Sequence, residues 1–173
     1  MITISVENFN TFSQRFYDSV IAQVQIHQLT CKCGHSACLT IHGYYYRYIQ
    51  TQDGKVKIKV TRVKCSECGK THALLISSLV PYSQISLEEQ RQIIESLEEE
   101  ASSSEICEGH PLIDENCIKS IIRRYKKHWK ERLKSEQIPL MPPTSLIRRC
   151  LKHYFKQFMQ IRNTFNRLYV IPT

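Results

Sequence analysis

The chain has 173 residues, with 24 Lys and Arg against 16 Asp and Glu, for a formal net charge of +8. That length supplies one ordinary domain or two to three small ones, and 42% hydrophobic with 23% charged residues marks a globular chain rather than a disordered tail. The longest apolar stretch, Ala73–Val80, falls far short of the ~20 residues of a membrane span, and no signal pattern opens the chain, which predicts a cytoplasmic protein without membrane contact.

Residues 1–30 predict a short helix, from Phe9, Phe12, Phe16 and Val20 at helical spacing, followed by a strand through Val24, Ile26 and Leu29. Over 31–80 the period falls to two. Lys55-Val-Lys-Ile-Lys-Val60 alternates basic and β-branched residues, Asp53-Gly54 supplies a hairpin turn before it, and tyrosine-rich Ile41–Ile49 is the partner strand. A third strand is expected over Thr71–Ile76. Residues 81–138 are helical. Ser86-Leu-Glu-Glu89 and Ser102-Ser-Ser-Glu105 are capping boxes opening two helices, and Asp114 caps a third with Ile118, Ile121, Ile122, Tyr125, Trp129 and Leu133 inward. Pro139, Pro142 and Pro143 begin a last segment, 139–173, with a basic amphipathic helix from about Ser145 to Arg162.

Charge comes in blocks. Gly54–Lys70 holds six basic residues and one acid, Glu88–Glu108 eight glutamates and one arginine, and Lys119–Lys134 eight basic residues and one glutamate. An acidic helix therefore stands between basic segments, and the local fields exceed what the net charge conveys.

Five of the eight cysteines fall in two tight groups, Cys31-Lys-Cys33-Gly34-His-Ser-Ala-Cys38 and Cys65-Ser-Glu-Cys68-Gly69. In a reducing compartment such groups are metal ligands more often than disulfides. Cys65-x-x-Cys68-Gly69 is a zinc knuckle in sequence, and a hairpin separates it from its partner group as in a zinc ribbon. The expected ligands of one structural Zn²⁺ are Cys33, Cys38, Cys65 and Cys68, because C-x-C crowds two thiolates; Cys31 is the alternative, replacing Cys33 or Cys38. His35, His42 and His72 are read as histidines making local hydrogen bonds. Four thiolates leave no open coordination position, so such a site staples the fold and performs no chemistry.

Short helices ending in one studded with Lys and Arg outline a helix-turn-helix, whose last helix enters the DNA major groove. The expected fold class is α+β: a small antiparallel zinc-ribbon sheet followed by a helix-turn-helix-like region. Candidate nucleic-acid contacts are Lys119, Arg123, Arg124, Lys126, Lys127 and Lys130 on the helix. Lys55, Lys57 and Lys59, which share one face of a strand, form the rival surface.

Several segments together resemble a family of small bacterial proteins described as transposase-like: Cys33-Gly-His-Ser-Ala-Cys38, His42-Gly-Tyr-Tyr, Arg62-Val-Lys-Cys-Ser-Glu-Cys-Gly-Lys-Thr-His72, Val80-Pro-Tyr-Ser-Gln84, Ser120-Ile-Ile-Arg-Arg-Tyr-Lys-Lys-His-Trp129 and Gln157-Phe-Met-Gln-Ile161. More distantly, the cysteine pattern resembles the zinc-ribbon and helix-turn-helix end of insertion-sequence transposases. The resemblance implies DNA binding in a mobile-element setting.

No nuclease core accompanies these motifs. The three aspartates, Asp18, Asp53 and Asp114, fall on a helix, a turn and a cap, whereas a two-metal site needs acids converging on one pocket. The expectation is a non-catalytic, zinc-stabilised protein binding duplex DNA, a regulator or accessory factor of a mobile element. Two other classes stand beside it: an adaptor docking a partner protein through its charge blocks, and an RNA binder stacking bases on Tyr44-Tyr-Tyr-Arg-Tyr48.

Overall fold

The computed structural model describes residues 1–4, 6, 12–130, 162–164 and 167–169. Strand β1 (Ile2–Ile4) is followed by helix α1 (Gln14–Gln23), a 3₁₀ turn (Ile26–Gln28), strands β2 (Leu39–Thr51), β3 (Gly54–Cys65) and β4 (Thr71–Ile76), and helices α2 (Leu87–Glu98), α3 (Ser103–Gly109) and α4 (Glu115–Arg124). A wider π-helical turn, Tyr125–Lys130, continues α4, and β5 (Arg162–Thr164) pairs with β6 (Arg167–Tyr169). Among the described residues no helix is long and apolar enough to cross a membrane.

The fold is α+β, but its sheet is not the small antiparallel zinc ribbon expected. Four strands run in the order β1-β4-β3-β2, with β1 parallel to β4, placing Ile2 opposite Leu74. The cause is β4: Leu74, Leu75 and Ile76 are all fully buried, so the backbone groups along its outer edge are cut off from water and take hydrogen-bond partners from β1. Two further expectations change. The strand over Val24–Leu29 is a 3₁₀ turn, and Arg162, the expected end of a helix, opens β5. The rest of that helix, the proline linker, Leu133, Phe9 and the side chains of Trp129 and Lys130 lie outside the described residues.

β2 and β3 pair from Leu39–Cys65 to Thr51–Gly54, and the turn uses Gly54 at φ +120°, a region that only glycine enters readily. The register shifts once, between Ile41 and Gly43, which makes His42 a bulge. Alternation along β3 and β4 divides two cores. Ile58, Val60 and Leu75 join Tyr17, Ile49, Ile76 and Leu79 on one face, while Val63, Cys65 and Leu74 join Ile2, Cys31, Cys38 and Leu39 on the other.

Helix α1 closes the gap where β3 and β4 part. Their ladder ends at Arg62–Ala73, and the next two residues, Thr61 and Leu74, are bridged instead by the buried Tyr17 hydroxyl. That hydroxyl accepts from the Thr61 amide at 2.9 Å and donates to the Leu74 carbonyl at 2.9 Å. The Gln14 side-chain amide then engages the Lys59 N–H and carbonyl. Tyr17→Phe strands two buried backbone groups and is expected to cost about 1–3 kcal/mol. A lower urea midpoint at unchanged m-value is the measurement.

The helices share a third core of Ile85, Leu87, Ile93, Ile94, Ile106, Ile113, Ile118, Ile121 and Tyr125. Their starts follow the capping signals: Ser86 and Ser102 hydroxyls accept the Glu89 and Glu105 amides, and Asp114 accepts the Asn116 amide. Buried Glu89 accepts from His110 Nδ1 at 2.8 Å, tying α2 to the end of α3, and Tyr125 reaches Glu98 of α2 through its hydroxyl. Arg47 of β2 donates to the Val80 and Ser83 carbonyls and anchors the hairpin to the segment leading into α2.

Candidate metal centre

Two tight loops meet below the base of the β2–β3 hairpin. In the first, Cys31 N–H donates to the His35 carbonyl, Gly34 N–H returns to the Cys31 carbonyl at 2.9 Å, and a bridge between Thr30 and Ser36 closes the loop. In the second, Cys65 N–H donates to the Lys70 carbonyl and Gly69 N–H to the Cys65 carbonyl, both at 3.0 Å. The second cysteine of each pair is followed by a glycine with positive φ, Gly34 at +93° and Gly69 at +67°. The chain turns back there without a Cβ penalty and leaves the sulfurs facing inward.

The sulfurs of Cys31, Cys33, Cys65 and Cys68 all lie within 4.8 Å of one another. Cys31 Sγ is 3.7 Å from Cys68 Sγ, and Cys33 Sγ is 3.8 Å from Cys65 Sγ. A tetrahedral zinc with Zn–S bonds of about 2.3 Å has S···S edges of about 3.8 Å, so these pairs match two opposite edges of one coordination tetrahedron. The donor set can hold a metal ion and suits zinc.

The close quartet joins three of the expected ligands, Cys33, Cys65 and Cys68, with Cys31, the expected alternative, in the place given to Cys38. Cys38 Sγ lies 3.3 Å from Cys65 Sγ, shorter than a tetrahedral edge, and donates to the His35 carbonyl at 3.2 Å. It packs in the core beside the quartet. C-x-C does not crowd the site because the turn at Gly34 sends Cys31 toward Cys68 and Cys33 toward Cys65. The matching glycines after Cys33 and Cys68 are the sequence signal for this pairing. Two histidines also stand against the quartet: His35 makes the expected local contact, its Nδ1 3.4 Å from Cys33 Sγ, while buried His72 reaches across the fold to place Nε2 3.2 Å from Cys31 Sγ. With its proton on Nε2, His72 donates to a Cys31 thiolate and orients it.

The thiols differ in acidity. Burial pushes Cys31 up to about 12 and also raises Cys38. The His35 backbone amide, followed by its imidazole, pulls Cys33 down to about 6. The Cys68 amide, 3.5 Å from Cys65 Sγ, lowers Cys65. In metal-free protein Cys33 is also the exposed member, its sulfur accessible and biased toward the thiolate by the His35 contacts. A short iodoacetamide pulse followed by peptide mass spectrometry should label Cys33 ahead of exposed Cys117. The advantage should fade as pH falls through about 6 and vanish when zinc is added. Equal labelling of the two at pH 7 would show that the His35 contacts do not activate Cys33.

Residues 30–125 match the model of a domain of unknown function, DUF6431. The match spans more than half of the 173 residues. The chain belongs to the DUF6431 family. No curated protein and no solved structure matches it. The DUF6431 span opens one residue before Cys31 and closes at Tyr125, so it takes in the quartet, the hairpin and the three-helix core, while β1 and α1 precede it.

The expected basic residues of this DUF6431 protein form two separate groups. Lys119, Arg123, Lys126 and Lys127 are exposed on α4 and its wider turn, around a groove floored by Leu97, Ala101 and Ile122, while Arg124 is half-buried. Lys119 pairs with Glu115 at 2.6 Å; Arg123, Lys126 and Lys127 make no ion pair among the described residues. Lys55, Lys57 and Lys59 line the solvated face of β3.

Proposed function

We propose that the protein is a non-catalytic, metal-stapled DNA-binding protein that lays α4 against duplex DNA. The observation that carries this reading is the gathering of Lys119, Arg123, Lys126 and Lys127 on one face of the last helix of a three-helix core. The order of α3 and α4 across the 110–114 turn, with both packed on α2, supports a helix-turn-helix reading. The cysteine quartet supplies the staple: four thiolates close the coordination shell of a zinc ion, which leaves a structural role and no site for bound water.

The charge on α4 is uneven. Asp114 and Glu115 occupy its N-terminus, where helix-turn-helix proteins place base-reading residues, and the cations begin at Lys119. Acids repel phosphates, so the middle and end of α4 follow the backbone and contribute affinity more than sequence readout. The mobile-element setting, as regulator or accessory factor, rests on the segments resembling transposase-like proteins. The test is binding of mixed-sequence duplex DNA across a salt series. Absence of salt-dependent binding, or binding unchanged by loss of the α4 cations, would remove the reading.

A further inference from the structure

The hairpin carries a second surface, on residues separate from α4. Tyr44, Tyr46 and Tyr48 alternate along β2 and are 52%, 62% and 45% exposed, while Tyr45 points the other way into the core. The register sets Tyr46 opposite Lys59 and Tyr48 opposite Lys57, so rings and ammonium groups share one face. Lys59 Nζ lies 4.1 Å from the Tyr44 ring centroid, Lys57 Nζ 4.7 Å from Tyr46 and Lys55 Nζ 5.1 Å from Tyr48. Three aromatic rings in a row beside three cations, with no carboxylate among the six, is an arrangement for an anionic ligand with flat apolar parts.

We propose that this face binds single-stranded DNA, the tyrosine rings stacking on unpaired bases and Lys55, Lys57 and Lys59 meeting the phosphates. Spacing selects the strand state. Alternate residues on a strand recur every ~6.8 Å, about twice the 3.4 Å rise of bases in a duplex, so the three rings cannot each meet a base without opening the stack. A splayed single strand can match them. The lysines stand one strand away, about 4.8 Å to the side, which separates a stacking row from a phosphate row. Their cation–π contacts preorganise the rings, and each ammonium can pass to a phosphate as a base arrives. The choice of DNA over RNA rests on continuity with the duplex-binding reading of α4, and the oligouridine arm of the test below decides it.

The test uses full-length, zinc-loaded protein and fluorescence anisotropy with a short oligothymidine, an oligouridine of equal length and a mixed-sequence duplex. Tyr46→Ser should weaken oligothymidine binding about fivefold to a hundredfold and leave duplex binding unchanged, while Tyr46→Phe, which keeps a ring, should bind like the parent. Replacing Lys55, Lys57 and Lys59 by Gln should flatten the salt dependence for oligothymidine by about two, at about 0.7 per phosphate. Arg123→Ala with Lys127→Ala should do the reverse, losing duplex and keeping oligothymidine. Oligothymidine binding that survives both hairpin variants overturns the proposal, and tighter binding of oligouridine overturns the choice of DNA. Loss of duplex binding confined to the α4 variant supports both surfaces. Retention of oligothymidine by a protein that binds no duplex removes the α4 reading and leaves this one standing.

Discussion

Stripping the metal from the cysteine quartet is expected to lower the melting temperature by about 8–16 °C. Zinc at a thousandfold excess over its dissociation constant contributes about 4 kcal/mol to the folded state, and each kcal/mol moves the midpoint of a chain of this size by about 2–4 °C. The loss should be concentrated in one place. The core beside the quartet is small and built partly from cysteines, with Cys31, Cys38 and Cys65 among Ile2, Leu39, Val63 and Leu74. Without metal the two loops retain their backbone turns but lose the link between them, and amide exchange should rise first over 30–38 and 65–70. Elemental analysis should give one zinc per chain, and a preparation that neither contains zinc nor takes it up when zinc is added would refute the centre.

Substitutions separate the ligand sets. Cys31→Ser and Cys65→Ser should each abolish stoichiometric zinc. Cys38→Ser should keep it, with only the modest destabilisation of a changed core residue. Cys107 and Cys117 serve as controls because neither belongs to the quartet. Zinc retained by Cys31→Ser but lost from Cys38→Ser would restore the C-x₄-C ligand set.

Local signals in the sequence carried the local structure. Asp53-Gly54 and the alternation from Lys55 to Val60 mark the hairpin, Thr71–Ile76 is found as expected, and Ser86, Ser102 and Asp114 each cap a helix. What sequence periodicity could not convey depends on distant partners. Strand β1 has three residues and exists through its pairing with β4, seventy residues on, so its own pattern is too short to read. The ligand set is likewise tertiary: spacing shows that Cys31, Cys33 and Cys38 can each reach a metal, but the direction of each sulfur depends on Gly34 and on the packing of Cys38 against Cys65. The end of α4 is a third case. The apolar stripe through Tyr125 predicts a regular helix, yet Tyr125 is buried with its hydroxyl against Glu98, and the backbone there widens into a π turn. That turn keeps Lys126 and Lys127 beside Lys119 and Arg123 around the groove.

Duplex binding should fall about a hundredfold between 50 and 200 mM salt. Each phosphate contact contributes about 0.9 to the slope of log affinity against log salt, and three to four cations on α4 give a slope of about −3 to −4. The range comes from Lys119, whose pairing with Glu115 competes with phosphate. Arg123→Ala with Lys127→Ala should flatten the slope by about 1.8 and weaken all duplex sequences alike, because contacts from the middle and end of the helix go to the backbone. Both residues are exposed, so the melting temperature should stay within a few degrees of the parent and serve as the control. Glu115→Gln works in the opposite sense. It frees Lys119 and removes an acid from the same face, and it should tighten binding at low salt while steepening the slope by up to about 0.9. Tighter binding on loss of an acid cannot arise from unfolding, which makes Glu115→Gln the sharper variant. Should Glu115→Gln leave the slope unchanged and the double variant bind as the parent does, the cations of α4 do not touch DNA, and the lysines of β3 become the surface to examine.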